Sequence, residues 1–274
     1  MSMERLKRVF ERCKKEDRSA LVSYLTACDP DMETSRELLL ALAEQSDIVE
    51  IGMPFSDPMA DGPVIQAASE RALAAGSHIK DVFKLTAAVR QAYPDLGIVL
   101  MGYANVPYAM GFEVFAEKAS AAGADGVLIV DIPPEEGAIC DDALKNNGLD
   151  RILLLSPTST DERIRLACKY GSGFIYYVSL AGITGADIGD MAKIKCKVDH
   201  VRAMTEMPIC VGFGVKTPAQ AREVALFADG VVVGSHFVSQ IAQAADPASI
   251  KAALSASASH MRQAVAVHKN GAGD

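Results

Sequence analysis

Tryptophan is absent from this sequence, and cysteine is scarce and dispersed. No C-x-x-C pair occurs, so the spacing typical of structural zinc sites and redox-active disulfides is missing. The five histidines are equally scattered, and none is spaced as a metal ligand with another histidine or an acidic motif. We therefore expect that the chain binds no metal and that its cysteines are reduced thiols, as in a cytoplasmic protein. The alternative is that the cysteines form disulfides or bind a metal. The cysteines are Cys13, Cys28, Cys140, Cys168, Cys196 and Cys210.

Basic segments and long apolar runs are also lacking. The net charge is −8 and Lys and Arg are nowhere concentrated, which argues against a nucleic acid partner because phosphate-backbone binding needs a basic surface. No run approaches the ~20 apolar residues of a membrane span. The first 18 residues are charged throughout, unlike a signal peptide. With 50% hydrophobic and 23% charged residues, the composition is typical of a soluble globular protein.

Short β-branched runs alternate with longer amphipathic segments along the whole chain. Most of these runs are continuously apolar, which is typical of strands buried on both faces. Eight runs without a Pro/Ser-rich linker predict one α/β domain over residues 1–274, a (β/α)8 TIM barrel with extra short helices. An open doubly wound sheet is the alternative, although no G-x-G-x-x-G turn follows the first strand. The predicted strands are Leu21–Thr26, Ile48–Ile51, Ile98–Met101, Gly126–Val130, Ile152–Leu155, Phe174–Val178, Ile209–Val211 and Gly230–Val233.

Apolar residues at helical spacing predict the intervening helices. An N-terminal helix with one apolar face precedes the first strand and can lie across the bottom of the barrel. Thr217-Pro218-x-Gln220 predicts a helix start, and Gly148 and Gly171 follow helical segments as left-handed ends would. The predicted apolar faces are Leu6, Val9, Phe10 and Cys13; Ile79, Val82, Phe83, Thr86 and Val89; Ile194, Val198, Val201 and Met204; and Ile250, Leu254, Met261 and Val265.

Two stretches between predicted elements are long, residues 52–61 after the second strand and 179–193 after the sixth. Long loops in a compact domain are usually functional, and both follow the carboxyl ends of strands, where barrel enzymes carry their active sites. A short repeat, Ala-Asp-Gly-Val, begins at Ala124 and again at Ala228, with a thinner version at Asp47. We interpret this repeat as a consequence of repeated strand–helix units, without chemical meaning.

Acidic residues occur where a barrel active site is expected. Glu50 lies inside the apolar run of the second strand, so its side chain should point into the barrel near the mouth. Burial raises the pKa of a carboxyl group, which suits a general acid or base; a structural carboxylate satisfied by loop amides is the alternative. Asp61 precedes Gly62-Pro63, where local rules favour a turn or N-cap residue, and Asp57 is interpreted the same way.

Three glycine-containing segments follow the last three strands. Glycine lets the backbone approach an anion, and the N–H groups at a helix start point towards it. The loops after the seventh and eighth barrel strands form the recurring phosphate site of this architecture. The segments therefore predict phosphate binding, with a set of tight turns as the alternative. They are Gly182-Ile-Thr184-Gly185, Gly212-Phe213-Gly214 and Gly234-Ser235, the last opening a short helical run at 235–240.

A long motif resembles a known family. The segment Glu50-Ile-Gly-x-Pro-Phe-Ser-Asp-Pro-x-Ala-Asp61-Gly-Pro closely resembles the signature of the tryptophan synthase alpha subunit. Other landmarks of the family occur in the same order, and the resemblance runs from about residue 18 to 242. They are Thr26-x-x-Asp29-Pro30, Tyr103-Ala104-Asn105, Asp131-Ile-Pro133 and the glycine segments. Two positions depart from it: Cys28 stands where many relatives have Gly, and Leu180 replaces an Arg found in some of them.

The resemblance implies aldolytic cleavage of indole-3-glycerol phosphate to indole and glyceraldehyde 3-phosphate. Glu50 would protonate the indole ring carbon and take the proton from the side-chain hydroxyl, while Asp61 would accept the indole N–H. The remaining implied substrate-binding residues fall into two groups. Gly185, Gly214, Gly234 and Ser235 would hold the phosphate; Tyr24, Tyr103, Tyr176, Thr184 and Phe213 would wall the indole or order the loop, a core role remaining open for each tyrosine.

The resemblance also implies a partner, a beta subunit that uses pyridoxal phosphate to join indole to serine. We expect an α2β2 complex, no cofactor on this chain, and communication through the loop at 53–60 and the loop after the sixth strand. Another phosphate-binding barrel enzyme is the nearest alternative, but it would need a lysine or metal ligands at strand ends. A non-catalytic activator of the beta subunit is the second alternative, against which Glu50 and Asp61 both argue.

Overall fold

Nine short parallel strands, counted in the part of the chain that the structure describes, form the centre of the molecule. The structure is a computed structural model that describes residues 4–179, 190–212, 214–243 and 246–266. The strands are buried along almost their whole length, as continuously apolar runs should be. They are β1 (Ala20–Thr26), β2 (Ile48–Gly52), β3 (Gly97–Gly102), β4 (Gly126–Ile129), β5 (Asp150–Arg151), β6 (Leu153–Leu155), β7 (Ile175–Val178), β8 (Ile209–Gly212) and β9 (Gly230–Val233).

The strands form one sheet that closes on itself. Their order is β5-β4-β3-β2-β1-β9-β8-β7-β6, so the two ends of the order, β5 and β6, are consecutive in the chain. The N–H of Ile152, between them, donates to the carbonyl of Val127 at 3.0 Å. Residues 150–155 are therefore one interrupted strand, paired with β4 through its first part and with β7 through its second. This confirms the predicted (β/α)8 barrel, and the open doubly wound alternative is wrong.

Helices surround the barrel, and the predicted apolar residues are buried or pack against the core, although Met204 lies beyond the end of its helix. Within the described ranges, no helix combines the length and the apolar composition needed to cross a bilayer. The helices are α1 (Arg5–Lys15), α2 (Met32–Gln45), α3 (Pro63–Ala74), α4 (Ile79–Ala92), α5 (Asn105–Met110), α6 (Phe112–Ala121), α7 (Asp141–Asn146), α8 (Asp161–Tyr170), α9 (Met191–Arg202), α10 (Pro218–Ala225), α11 (Ser235–Gln243) and α12 (Pro247–Val265), with a 3-10 helix at Pro134–Ile139.

The local helix signals are confirmed with one exception. Thr217 caps α10 and Gln220 returns the contact, forming the predicted capping box. Gly148 adopts the left-handed conformation after α7, with φ of 69°. Gly171 does not, because its φ is −78°, so the prediction of a left-handed end there is wrong. Glycine is required at 171 for another reason: a Cβ would lie 2.6 Å from the carbonyl oxygen of Ala167.

The N-terminal helix closes the bottom of the barrel, as predicted. The predicted apolar face of α1 is buried. Phe10 contacts Phe174, just before β7, with ring centroids 5.7 Å apart. A Cβ on Gly97, the first residue of β3, would lie 2.9 Å from the Leu6 side chain. Because these partners lie at the amino ends of strands, α1 leaves the opposite end free for a site.

The repeated aspartates have a common structural role. Each aspartate directly precedes a strand. Its carboxylate accepts a hydrogen bond from a backbone N–H at the start of the neighbouring strand and also pairs with an arginine. Asp47 and Asp125 are buried and Asp229 is half-buried. Removing a carboxylate from water is tolerable only when such partners replace the water. The contacts are Asp47 with Leu21 N (3.0 Å) and Arg18 (2.8 Å), Asp125 with Ile98 N (2.8 Å) and Arg90 (2.7 Å), and Asp229 with Ile209 N (2.9 Å) and Arg202 (2.8 Å).

Candidate active site

Glu50 lies at the centre of β2 and faces the inside of the barrel. Successive strand side chains point to opposite faces, so Glu50 and Gly52 face the same side, away from Val49 and Ile51. The strand register places Tyr24 of β1 beside Glu50. Both side chains line a cavity in the barrel mouth. Glu50 thus faces this cavity rather than the outer helices.

The Glu50 carboxyl group is almost completely removed from water, with 1% of the residue exposed. Neither of its oxygens has a hydrogen-bond partner among the described residues, so no loop amide in those ranges satisfies it. Loss of water raises the pKa of Glu50 from its ordinary 4.5 to about 8, and repulsion from Asp61 adds to the shift. At neutral pH this carboxyl group mostly carries a proton that it can donate.

Asp61 is held by Tyr103, which directly follows β3. Its carboxylate accepts a hydrogen bond from the Tyr103 hydroxyl at 3.0 Å, and the Tyr103 oxygen accepts one from the N–H of Ala60 at 3.1 Å. Asp61 is not the N-cap of α3, because Gly62 occupies that position. Burial raises the pKa of Asp61 to about 6, and the bond from Tyr103 opposes that rise. Asp61 is therefore mostly ionised under conditions where Glu50 is mostly protonated.

Tyr24 and Tyr176 reach into the cavity because the strand beside each of them, β2 and β8 respectively, ends in glycine. A Cβ on Gly52 would lie 2.1 Å from the Tyr24 hydroxyl oxygen, and a Cβ on Gly212 would lie 2.6 Å from that of Tyr176. Any side chain at either glycine would displace the tyrosine. Burial raises the pKa of both phenols well above 10, and the nearby acidic groups contribute. Both tyrosines therefore keep their protons and serve as neutral walls.

One cavity of about 330 Å³ joins the two carboxyl groups to the predicted phosphate loops. This volume falls within the roughly 300–1,000 Å³ of small-molecule sites. Gly214, Gly234 and Ser235 also line it, with Gly214 at φ of 88° and Ser235 opening α11. The first N–H groups of a helix have no acceptor within the helix and favour an anion. In the ranges that the structure covers, no three His, Cys, Asp or Glu side chains converge as a metal site requires.

Known proteins are similar in sequence to this chain over most of its length. The family model described as "Tryptophan synthase alpha chain" matches residues 10–266. The chain belongs to the tryptophan synthase alpha chain family. It is 47% identical over 243 residues to the alpha chain of Zymomonas mobilis, covering 88% of this chain and 89% of the relative. It is 44% identical over 265 residues to that of Marinobacter nauticus, covering 96% and 98%.

Solved structures of the family share the fold. Tryptophan synthase subunit alpha from Legionella pneumophila matches with a TM-score of 0.88 at 39% identity, covering 95% of this chain and 98% of that one. A chain of Mycobacterium tuberculosis tryptophan synthase matches with a TM-score of 0.88 at 35% identity, covering 96% and 98%. The barrel described above is therefore the barrel of the tryptophan synthase alpha chain family.

Most of the predicted substrate-binding residues meet in one place. Tyr24, Tyr176, Gly214, Gly234 and Ser235 line the same cavity as the two carboxyl groups. Tyr103 does not line it; this side chain lies in a smaller adjoining cavity and stacks against Phe55 with ring centroids 5.3 Å apart. Its geometry suits ordering the loop. The other predicted residues lie outside the described ranges: Thr184, Gly185 and Phe213, together with Gly182 and Leu180.

Several cavity-lining residues were not identified from the sequence. Met101 and Val232 are the penultimate residues of β3 and β9, at the carboxyl ends where a barrel carries its site. Lys216 and His236 follow the glycine segments by one or two residues. Their position next to a predicted anion site was the available signal. A lone lysine or histidine in a loop, however, has no periodicity that marks it.

Proposed function

We propose that Glu50 and Asp61 carry out the chemistry of this chain. As a member of its family, the chain is a carbon–carbon lyase that cleaves indole-3-glycerol phosphate to indole and D-glyceraldehyde 3-phosphate. The observation that carries the proposal is the buried, unpartnered carboxyl group of Glu50 in a cavity shared with an ionised Asp61. Two acidic groups whose environments separate their pKa values are suited to different roles in one reaction.

Glu50 acts first as an acid and then as a base. Its carboxyl group donates a proton to the ring carbon that bears the glycerol phosphate side chain, which turns a poor leaving group into a better one. The resulting carboxylate takes the proton of the adjacent side-chain hydroxyl as the carbon–carbon bond breaks and the aldehyde forms. One proton is given and one is taken, so Glu50 ends in its starting state. A positioned proton donor of this kind contributes roughly 10²–10⁴-fold to the rate.

Asp61 stabilises the positively charged intermediate. Its carboxylate accepts the indole N–H and favours the protonated indolenine, because an opposite charge placed in advance in a water-poor cavity stabilises a developing cation. The hydrogen bond from Tyr103 supports the ionised form of Asp61 and fixes its orientation. Tyr24 and Tyr176 then serve as walls of the indole pocket, and Gly214, Gly234 and Ser235 hold the phosphate, together with Gly185.

The wider setting follows from the family. We propose that residues 1–274 act as one cytoplasmic barrel domain in an α2β2 complex with a beta subunit, which takes the indole. Pyridoxal phosphate belongs to that partner, and the lyase step on this chain needs no cofactor. The exposed Met59 in the loop after β2 and the exposed Tyr108 on α5 support contact at this end of the barrel.

A turnover assay tests the proposal. Purified chain is mixed with indole-3-glycerol phosphate, with and without a beta subunit, and glyceraldehyde 3-phosphate is measured. We expect release in both arms and its loss in Glu50→Gln, with the fold and substrate binding retained. Ordinary turnover by Glu50→Gln would remove Glu50 from the mechanism. Absence of any release, with activation of the beta subunit intact, would identify the chain as a non-catalytic activator instead.

A further inference from the structure

Two cavity-lining residues that can carry a positive charge have no role in the reaction described so far. Lys216 lies in the loop after β8, two residues beyond Gly214, and His236 is the second residue of α11, next to Ser235. Among the described residues that line the cavity, these are the two whose side chains can be cations. Both lie beside the glycines proposed to hold the phosphate.

The His236 ring is anchored from outside the cavity. Its Nε2 lies 2.6 Å from the Ser257 hydroxyl oxygen of α12 and 3.1 Å from the Gln240 side-chain nitrogen, one turn further along α11. These polar neighbours are uncharged. Burial lowers the pKa of His236 below its ordinary 6.5, so the ring is mostly neutral at neutral pH when no anion is present. Its orientation is thus set before any ligand arrives.

The charge of the cavity makes a cation there useful. The other titratable groups that line it are Glu50, Asp61 and the phenols of Tyr24 and Tyr176, so its formal charge is acidic without Lys216 and His236. Without these two side chains, a phosphate dianion in this space is repelled by Asp61 and, among the described lining residues, meets only main-chain N–H groups and hydroxyl groups, which carry partial charges. Charged donors form stronger bonds with phosphate than neutral ones.

We propose that Lys216 and His236 bind the substrate phosphate as cationic side chains and make the site selective for a phosphorylated substrate. The inference rests on the proposed function, because it assigns new residues to the phosphate end of the same site. Since a bound dianion favours the imidazolium form, phosphate binding is coupled to uptake of a proton by His236. Affinity for the dianion therefore falls as pH rises through the range where the liganded His236 loses its proton.

Binding measurements on the full chain test the assignment. Lys216→Met and His236→Gln each remove a charge, and Gln can keep a hydrogen bond to Ser257. Titration calorimetry with glycerol 3-phosphate at about pH 6.5 should show Kd raised roughly tenfold in each variant, with the Kd for indole unchanged. In turnover, KM for indole-3-glycerol phosphate should rise by a similar factor while kcat stays within about twofold.

Lys195→Met is the matched control. It removes the same charge from α9, where Lys195 pairs with Asp199 at an exposed site, and it should leave the glycerol 3-phosphate Kd unchanged. A Kd within about twofold of wild type in both cavity variants would overturn the inference. The binding assay uses no turnover, so this failure is distinct from failure of the wild-type chain to cleave its substrate, which would count against the proposed function alone.

A second readout needs no variant. The histidine ring signals of the wild-type chain are followed by NMR against pH, with and without saturating glycerol 3-phosphate. The His236 ring should hold its proton to higher pH when the ligand is bound. A His236 titration that the ligand leaves unchanged would overturn its part in phosphate binding, even if His236→Gln fails to fold.

Discussion

Replacing Glu50 by glutamine should stabilise the fold in a pH-dependent manner. The folded chain holds the Glu50 proton up to a pKa of about 8, whereas the unfolded chain releases it near 4.5. Between these values the unfolded state binds fewer protons than the folded state, so the free energy of unfolding of the wild type falls as pH rises. A glutamine side chain has nearly the same shape and no charge at any pH, so the variant lacks this loss.

The expected size follows from the two pKa values. A difference of one bound proton changes stability by about 1.4 kcal/mol per pH unit. From pH 4.5 to neutral pH the loss in the wild type amounts to about 3 kcal/mol; it is about 4 kcal/mol at pH 8 and approaches about 5 kcal/mol above that pH. Glu50→Gln should therefore match the wild type in mild acid, exceed it by about 3 kcal/mol at neutral pH, and exceed it by about 5 kcal/mol above pH 8.

Urea unfolding of the chain alone measures this difference. Circular dichroism gives the unfolding free energy of both proteins at about pH 5, 7 and 8.5. Glu223→Gln, which removes the charge of an exposed residue on α10, serves as the control. Its difference in unfolding free energy from the wild type should not grow with pH. A gap for Glu50→Gln that stays constant with pH would refute the reasoning, because the Glu50 carboxyl group would then not be held protonated by burial.

Three further predictions concern the site and the barrel bottom. Tyr103→Phe removes the hydrogen bond that lowers the pKa of Asp61, so the acidic limb of the kcat profile should move to higher pH; an unmoved limb would contradict this pairing. Ser235→Asp places like charge at the helix start, and KM for the phosphorylated substrate should rise at least tenfold, roughly 1.4 kcal/mol or more, whereas an unchanged KM would count against that phosphate position. Asp47→Asn breaks a buried pair with Arg18 and should lower the unfolding free energy by about 3–5 kcal/mol without changing kcat. A variant that keeps its full stability but loses activity would contradict this structural role.

Local features of the chain could be predicted from the sequence because they depend on neighbouring residues. Apolar runs buried on both faces marked the eight barrel strands, and the spacing of apolar residues marked helices such as α4 and α12. The cap at Thr217 depends on contacts within four residues, so it too was predictable. Gly171 shows the limit of such rules, since its need for glycine comes from close packing rather than from φ.

The resemblance of the Glu50–Asp61 segment indicated which residues to examine, but local rules alone favoured a turn or N-cap for Asp61. That question depended on Tyr103, 42 residues further along the chain, whose hydroxyl binds the carboxylate. The unpartnered burial of Glu50 likewise depends on tyrosines from β1 and β7, and they fit only because Gly52 and Gly212 lack side chains.

The sequence by itself thus determined the kind, order and approximate ends of the elements, and through its motif the family. Tertiary structure alone decided the protonation states of the two carboxyl groups and the inclusion of Lys216 and His236 in the cavity. It also revealed that the repeated aspartates at 47, 125 and 229 hold strand starts together. The physical reason is that desolvation and charge interactions depend on distance in space, which barrel closure sets between residues far apart in sequence.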